Sequence, residues 1–188
     1  YIILIEKEVI SVKYSCIGIK GTGMATLASM LYDMGNTVSG YDDAKDYKFT
    51  EKGLRERGIE IFYDSTHPID KDTIVTASKA FSDDHREIKR IKELGLTFKP
   101  YNEVVGEITK KFDTISVCGT HGKTTTTSLL KHLFETTIGC NYFIGDGQGH
   151  IDLKNKLLVI ESDEFNRHFL AYYPKTAVIT CVELEHTE

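Results

Sequence analysis

Short apolar runs alternate with longer stretches in which apolar residues recur every three or four positions, almost throughout the chain. SCIGI (15–19), TVSGYD (37–42), IEIFY (59–63) and TIVTAS (73–78) have the length and β-branched content of strands. Between them GMATLASMLYDMG (23–35), FTEKGLRERG (49–58) and DDHREIKRIKELG (83–95) have helical periodicity, and each ends at a glycine, the residue that closes a helix best. YNEVVGEITKKF (101–112) predicts a helix leading out of this first unit. A second unit starts with strand DTISVCG (113–119) and a helix over 123–134, followed by strand KLLVIES (156–162), a helix over EFNRHFLAYY (164–173) and strand TAVITCVE (176–183). Strand and helix in alternation predict an α/β protein with parallel sheets. The expected division is 1–108 for a Rossmann-like unit and 109–188 for a second α/β unit that ends just after a strand, short of a closing helix.

Composition narrows the function classes. The chain has 188 residues, 40% of them apolar, with 23 Lys and Arg against 28 Asp and Glu for a net charge of −5 and no dominant run of either sign. The basic footprint of a nucleic-acid partner is absent, and neither nucleic acid nor a membrane surface is expected. Cys16, Cys118, Cys140 and Cys181 are far apart without a CxxC pair, which predicts small buried hydrophobes in a reduced compartment rather than disulfides. The opening YIILIEKEVISV is apolar too briefly for a signal or a membrane span, so a cytoplasmic protein is expected.

Two glycine loops carry the candidate chemistry. GIKGTGM follows a strand and opens a helix, the setting in which backbone N–H groups cradle a diphosphate. Gly21 and Gly23 give GxG with Thr22 between them and Met24 after, but the third fingerprint position is Thr26. Asp42, or Asp43 beside it, ends the second strand where an acid takes a ribose hydroxyl, and Ser78 ends the strand over 73–78. These residues fit NAD, FAD or a UDP-sugar equally. The second loop, Gly119-Thr120-His121-Gly122-Lys123-Thr124, also joins a strand to a helix. A strict P-loop wants glycine at 117, where this chain has Val117. Lys123 still supplies a charge for the β- and γ-phosphates, the Thr124 hydroxyl a ligand for Mg²⁺, and the loop through Thr125 the N–H groups for ATP. Thr125, Thr126 and Thr127 either fill the first helical turn or bond phosphate, and His121 either shapes the loop or touches ligand. Glu161, with Asp163 and Glu164 following, ends an apolar strand and could hold Mg²⁺ directly or through water. His186 among acids reads by itself as a surface histidine, since Mg²⁺ prefers oxygen.

With these motifs in order (GIKGTGM, GTHGKTTTT, FIGDG, ESDEFNRHFLAYYP and ITCVELEH) the chain resembles the Mur ligases of peptidoglycan synthesis, in particular the alanine-adding type of low-GC Gram-positive bacteria. That family also lacks the first P-loop glycine. The resemblance implies a Rossmann-like domain for the UDP end of UDP-N-acetylmuramate, then a partial P-loop central domain for ATP and Mg²⁺. It implies a ligase that activates the muramoyl carboxylate as an acyl phosphate for attack by L-alanine. It assigns phosphate stabilisation to Lys123, Mg²⁺ ligation to Thr124 and Glu161, and a second metal site to His186. Cys181, Glu185 and Glu188 replace the family's asparagine, aspartate and final acid in the last strand, and Tyr41 precedes Asp42 where the family has serine. The family's remaining domains lie beyond this sequence, so the expectation is a portion that does not complete the reaction alone. The alternatives are a non-catalytic nucleotide-binding module and a related ligase adding another amino acid or a peptide.

Overall fold

The computed structural model describes residues 11–78, 80–162 and 165–183. The first unit contains β1 (Lys13–Ile17), α1 (Thr22–Asp33), β2 (Thr37–Tyr41), α2 (Glu51–Glu56), β3 (Glu60–Phe62), β4 (Ile74–Ala77), α3 (Arg86–Glu93), β5 (Thr97–Phe98) and α4 (Tyr101–Thr109). Its five strands lie in the order β3-β2-β1-β4-β5 and pair in parallel throughout. The second contains β6 (Asp113–Cys118), α5 (Lys123–Glu135), β7 (Asn141–Phe143), β8 (Gly149–His150), β9 (Leu157–Glu161) and β10 (Thr176–Ile179), with sheet order β10-β6-β9-β7-β8. Among the described residues, only the β7–β8 pair is antiparallel. Apolar strands of this kind, buried on both faces, belong in parallel sheets. Cys16 and Ile17 at the centre of the first sheet and Leu158, Val159 and Ile160 at the centre of the second are fully buried.

Gly35, Gly58 and Gly95 follow α1, α2 and α3 in left-handed conformations, as their sequence positions predict. Three short strands were not visible as periodicity: β5 and β8 are two residues long and β7 three. The helix expected over 164–173 is a correction. Among the described residues this stretch is a 3₁₀ segment, Phe165–Ala171, in which Arg167 has φ 56°, a backbone state that an α-helix cannot pass through. Its end meets α4 so closely that a side chain at Gly106 would collide with the Ala171 carbonyl.

The two sheets share one core. Met24, Leu27, Met30 and Leu31 of α1 and Val104, Val105 and Ile108 of α4 cluster with Phe143, Leu158 and Ile160 of the second unit. Thr26, standing where a dinucleotide fingerprint has its third glycine, is fully buried. The close approach is provided from the other side, because a Cβ at Gly149 would overlap the Thr26 methyl. Asp33 closes the seam: its carboxylate accepts from Arg57 Nε at 2.8 Å, from His150 Nδ1 at 2.8 Å and from the Ile151 N–H at 3.2 Å. Burial pushes the Asp33 carboxyl up, and these donors outweigh it and hold it below the ordinary range.

Candidate functional site

Strand register places the chemistry. Ile17 at the end of β1 pairs with Tyr41 and with Ala77, so the loop 18–21, Asp42 and Ser78 share the carboxyl edge of the first sheet. Val117 pairs with Glu161 and Cys118 with Ile179, which brings the loop 119–122, Glu161 and residues 180–181 to the corresponding edge of the second. Open α/β sheets place their ligands at such edges.

At the first edge, α1 begins at Thr22 with Gly21 as N-cap, and Ala25 N is the first to bond back, to the Gly21 carbonyl at 2.8 Å. The N–H groups of Thr22, Gly23 and Met24 therefore have no carbonyl one turn earlier within the helix, and they point out of its positive end. The Met24 side chain is buried in the core, so only its backbone can meet a ligand. Ser78 donates its N–H to the Ile17 carbonyl at 2.9 Å and lies against Gly18. Asp42 is buried and occupied: Oδ2 accepts from Lys20 N at 2.9 Å and Oδ1 from Ala44 N at 3.0 Å. Asp43 is exposed and bonded to Tyr41, His85 and Arg86; the Tyr41 hydroxyl, then His85 and Arg86, hold its carboxyl below the ordinary range against the opposing effect of burial.

Lys20 and Glu51, which sequence reasoning did not single out, form a fully buried ion pair at 2.6 Å. The remaining Lys20 ammonium donors go to the carbonyls of Ala44 and Asp46, both at 2.6 Å. Glu51 also accepts from Lys48 N at 3.0 Å and from Arg55 at 2.8 Å. Burial pushes the Glu51 carboxyl up, but Lys20, Arg55 and the Lys48 N–H overcome it and hold it at about 2. The legible signal was a lysine inside a glycine loop; its partner, 31 positions on, has no sequence signature.

At the second edge, Val117 is fully buried within β6, between the β9 and β10 strands, so position 117 is strand and the loop proper is the four residues 119–122. A Cβ at Gly119, where φ is 132°, would overlap Thr180 Oγ1 and approach the Cys181 carbonyl to 2.7 Å, which is why the loop needs glycine there. Thr126 N is the first amide of α5 to bond back, to Gly122 at 2.9 Å, leaving those of Lys123, Thr124 and Thr125 at the helix start. The Lys123 ammonium donates to the Gly119 carbonyl at 2.7 Å and to the Thr120 carbonyl at 3.3 Å. Thr124 donates its hydroxyl to Glu161 Oε1 at 2.9 Å, and Glu161 Oε2 accepts from Gly145 N, in the FIGDG stretch, at 2.8 Å. The other threonines divide: Thr125 is exposed, whereas Thr127 is fully buried with its hydroxyl on the Lys123 carbonyl at 2.8 Å. The exposed His121 ring lies 3.7 Å from Glu183.

Cys181 takes up part of what an amide would do at its place, accepting from His121 N at 3.2 Å and donating to the His121 carbonyl at 3.6 Å. The four cysteines are free; Cys16 and Cys140 are buried, with burial pushing their thiols up to about 12 and about 11, and Cys118 and Cys181 are half-buried. His186, Asp163, Glu164, Glu185 and Glu188 lie outside the described residues. Among the described residues, no three His, Cys, Asp or Glu side chains cluster as a metal site and no helix is long and apolar enough to cross a membrane. A cleft of about 580 Å³ lies between the two units, with Thr50 on one wall, bonded to the Lys20 carbonyl, and Asp146 on the other, next to Gly145. A second cavity, of about 360 Å³, opens at the amino edge of the first sheet and holds none of the expected site residues.

A family profile described as "Mur ligase family, catalytic domain" matches residues 13–113. A UDP-N-acetylmuramate–L-alanine ligase of Lactiplantibacillus plantarum is 42% identical over 175 residues, covering 93% of this chain and 40% of the relative. Among solved structures, the UDP-N-acetylmuramate:L-alanyl-gamma-D-glutamyl-meso-diaminopimelate ligase of Neisseria meningitides superposes with a TM-score of 0.81 at 26% identity, over 95% of this chain and 63% of that one. The UDP-N-acetylmuramate-alanine ligase of Thermotoga maritima does so with a TM-score of 0.79 at 28% identity, over 93% and 42%. This chain thus spans about 40% of the length of the curated relative. A profile match over more than half of the chain, in register with the first sheet and its glycine loop, settles the kinship: the chain belongs to the Mur ligase family.

Proposed function

We propose that this chain is the portion of an ATP-dependent ligase that binds UDP-N-acetylmuramate at its first glycine loop and the phosphates of ATP at its second, in the cytoplasmic synthesis of peptidoglycan. The amino acid joined is L-alanine, the reading favoured by the 42% identity to a relative of that name. In the complete reaction a muramoyl carboxylate oxygen attacks the γ-phosphorus of ATP and ADP leaves. The alanine amine then attacks the acyl carbon, phosphate leaves, and the amine gives up a proton as the amide forms.

The observation that carries this reading is the hydrogen bond between Thr124 and Glu161, which puts a hydroxyl and a carboxylate side by side at the mouth of the second loop. The hydroxyl's hydrogen is committed to Glu161, so its lone pairs face outward. Two hard oxygen donors fit Mg²⁺, which takes one or two protein ligands and completes its shell with phosphate and water. Mg²⁺, when bound, neutralises charge on the β- and γ-phosphates. Lys123 contributes a positive charge at the loop rim to the transferring phosphoryl group, and the N–H groups of Lys123, Thr124 and Thr125 orient the phosphates. On the first sheet the N–H groups of Thr22, Gly23 and Met24 take the diphosphate of the UDP-sugar, beside Asp42 and Ser78.

Calorimetric titration of UDP-N-acetylmuramate into this chain tests the first half: binding is expected, and Gly23→Val, which drives a side chain toward the Tyr101 hydroxyl 2.9 Å from a Cβ there, abolishes it. Heat unchanged by that substitution would refute the assignment. For the second half, phosphate release by a protein extended to the relatives' length is expected with L-alanine and not with D-glutamate. Activity only with a tripeptide would move the chain to the peptide-adding ligases.

A further inference from the structure

A lysine inside a glycine-rich diphosphate loop is ordinarily read as a phosphate ligand. Lys20 is built otherwise. Its side chain is fully buried, and its three ammonium donors are matched by three acceptors at 2.6 Å: Glu51 Oε1 and the carbonyls of Ala44 and Asp46. Turning outward to a ligand would break all three bonds and leave the Glu51 carboxylate, itself 1% exposed, short of its nearest cation. The pair is also neutral as a unit, so it adds little net field at the loop.

The backbone of the same residue is tied at both ends. Lys20 N donates to Asp42 Oδ2 at 2.9 Å, and the Lys20 carbonyl accepts from Thr50 Oγ1 at 2.7 Å. Immediately before it, the N–H groups of Gly18 and Ile19 both reach the Tyr41 carbonyl, at 2.7 and 3.1 Å. Immediately after it comes Gly21, the N-cap of α1. Every polar atom of Lys20 thus joins the loop to the segment 42–51, and the segment ends in α2.

We infer that Lys20, with Glu51 and Thr50, is a positioning clamp that holds the first glycine loop so that the N–H groups of Thr22, Gly23 and Met24 converge on a diphosphate, and that Lys20 itself never touches the ligand. This rests on the reading of the first loop as a nucleoside-diphosphate site. The clamp also fixes Asp42, whose two carboxylate oxygens are bonded to Lys20 N and Ala44 N, inside the segment it pins.

The test compares uridine diphosphate with uridine, which lacks the phosphates, by calorimetry on the 188-residue chain and on two variants. Thr50→Val removes one hydrogen bond from the clamp and keeps side-chain volume, so it folds. Lys20→Met/Glu51→Met replaces the buried pair by apolar groups of similar size, an exchange that is often neutral for stability. In each variant the affinity for uridine diphosphate falls, by roughly threefold in the first and tenfold or more in the second, the scale seen when supporting contacts behind a ligand shell are lost. The affinity for uridine is unchanged in both variants, because the base does not rest on the clamped amides and Asp42 keeps its bonds from the backbone N–H groups of Lys20 and Ala44. A loss equal for the two ligands would mean general damage and overturn the clamp, as would unchanged affinity for uridine diphosphate in Thr50→Val. Failure of the double variant to fold leaves Thr50→Val as the deciding measurement. Absence of uridine diphosphate binding by the unsubstituted chain would refute the nucleotide reading of the loop, and the clamp with it, whereas the other outcomes refute the clamp alone.

Discussion

The two glycine loops solve the same problem with the same local grammar, and they place their lysines in opposite roles. Each follows an interior strand flanked by two parallel neighbours, each opens a helix whose first amides precede the i to i−4 ladder, and each has one lysine within it or directly after it. Lys20 stands before the N-cap Gly21, where the chain still runs beneath the loop, and its ammonium is buried against Glu51. Lys123 is the first residue of α5, after the N-cap Gly122, and its half-exposed ammonium lies over the loop carbonyls. Two residues of offset relative to the helix start separate a lysine sealed beneath its loop from one that lies over the loop carbonyls. The acids follow the same division: Glu51 is sealed with its lysine, whereas Glu161 stands at the mouth and holds Thr124.

The sharpest way to break the comparison is to neutralise one member of each constellation. Glu51→Gln leaves the Lys20 ammonium buried without its counter-charge, a change that costs about 3–5 kcal/mol. Against a total stability of about 5–15 kcal/mol this brings the chain close to unfolding at ordinary temperature. Lys123→Met at the other loop removes a half-exposed charge and is expected to cost about 1 kcal/mol or less. Urea denaturation of the two variants reads the difference; comparable losses would mean that Lys123 is also a strut.

Acid titration gives the next largest effect. The Glu51 carboxyl has a folded value of about 2 against 4.5 for the unfolded group. A depressed folded value means that the pair's contribution is complete above about pH 4.5 and is lost as the pH falls toward 2. The pH-dependent part is at most about 3 kcal/mol, at about 1.4 kcal/mol for each pH unit of difference. The unsubstituted protein is therefore expected to lose more stability between pH 4.5 and 2 than Lys20→Met/Glu51→Met, which lacks the titrating group. Parallel pH curves for the two proteins would show that the pair does not control acid stability.

A smaller effect is expected at Gly119→Ala. The residue would have to hold φ near 132°, at a cost of about 1–3 kcal/mol, and its Cβ would press on Thr180. Because Thr180 and Cys181 carry the hydrogen bonds between β10 and the loop, the loss should appear first as faster amide exchange at 118–121. No change in exchange would mean that the end of β10 yields freely.

How much of this was legible in the sequence differs between the loops. The strand-loop-helix placement of Lys123 and Thr124 could be read directly, since GKT after an apolar run fixes their order, and Glu161 stood out as the acid deepest in its own apolar run. Val117 had two readings, the strand DTISVCG and the missing glycine of a strict P-loop spacing, and its pairing with Glu161 and Val178 places it in the strand. At the first loop the glycines were legible and the clamp was not. Lys20 and Glu51 meet only because β2 returns beside β1 and the segment 42–51 folds back over the loop, a contact that periodicity does not encode. The seam between units was equally hidden: His150 and Gly149 sit in a two-residue strand with no apolar alternation, yet they contact Asp33 and Thr26. The failed helix over 164–173 belongs here too, because its apolar spacing is helical while Arg167 takes a backbone state that closes an α-helix.

The finest test of the division between strut and ligand-facing group is Thr124→Val. Valine keeps the shape and β-branching of threonine at the second position of α5 and removes only the oxygen that bonds Glu161. Thr124 is exposed, so the lost hydrogen bond is expected to cost about 1 kcal/mol or less of stability. The Glu161 carboxylate keeps its bond from Gly145 N and does not become an unsatisfied buried charge. If the oxygen faces a cation, ATP affinity in the presence of Mg²⁺ falls about tenfold, or about 1.4 kcal/mol, while the weaker affinity measured in EDTA is unchanged. Equal losses with and without Mg²⁺ would mean that the hydroxyl merely positions Glu161 or the loop. In that case the second loop would use its threonine as the first uses Thr50, and the contrast between the two would rest on Lys123 alone.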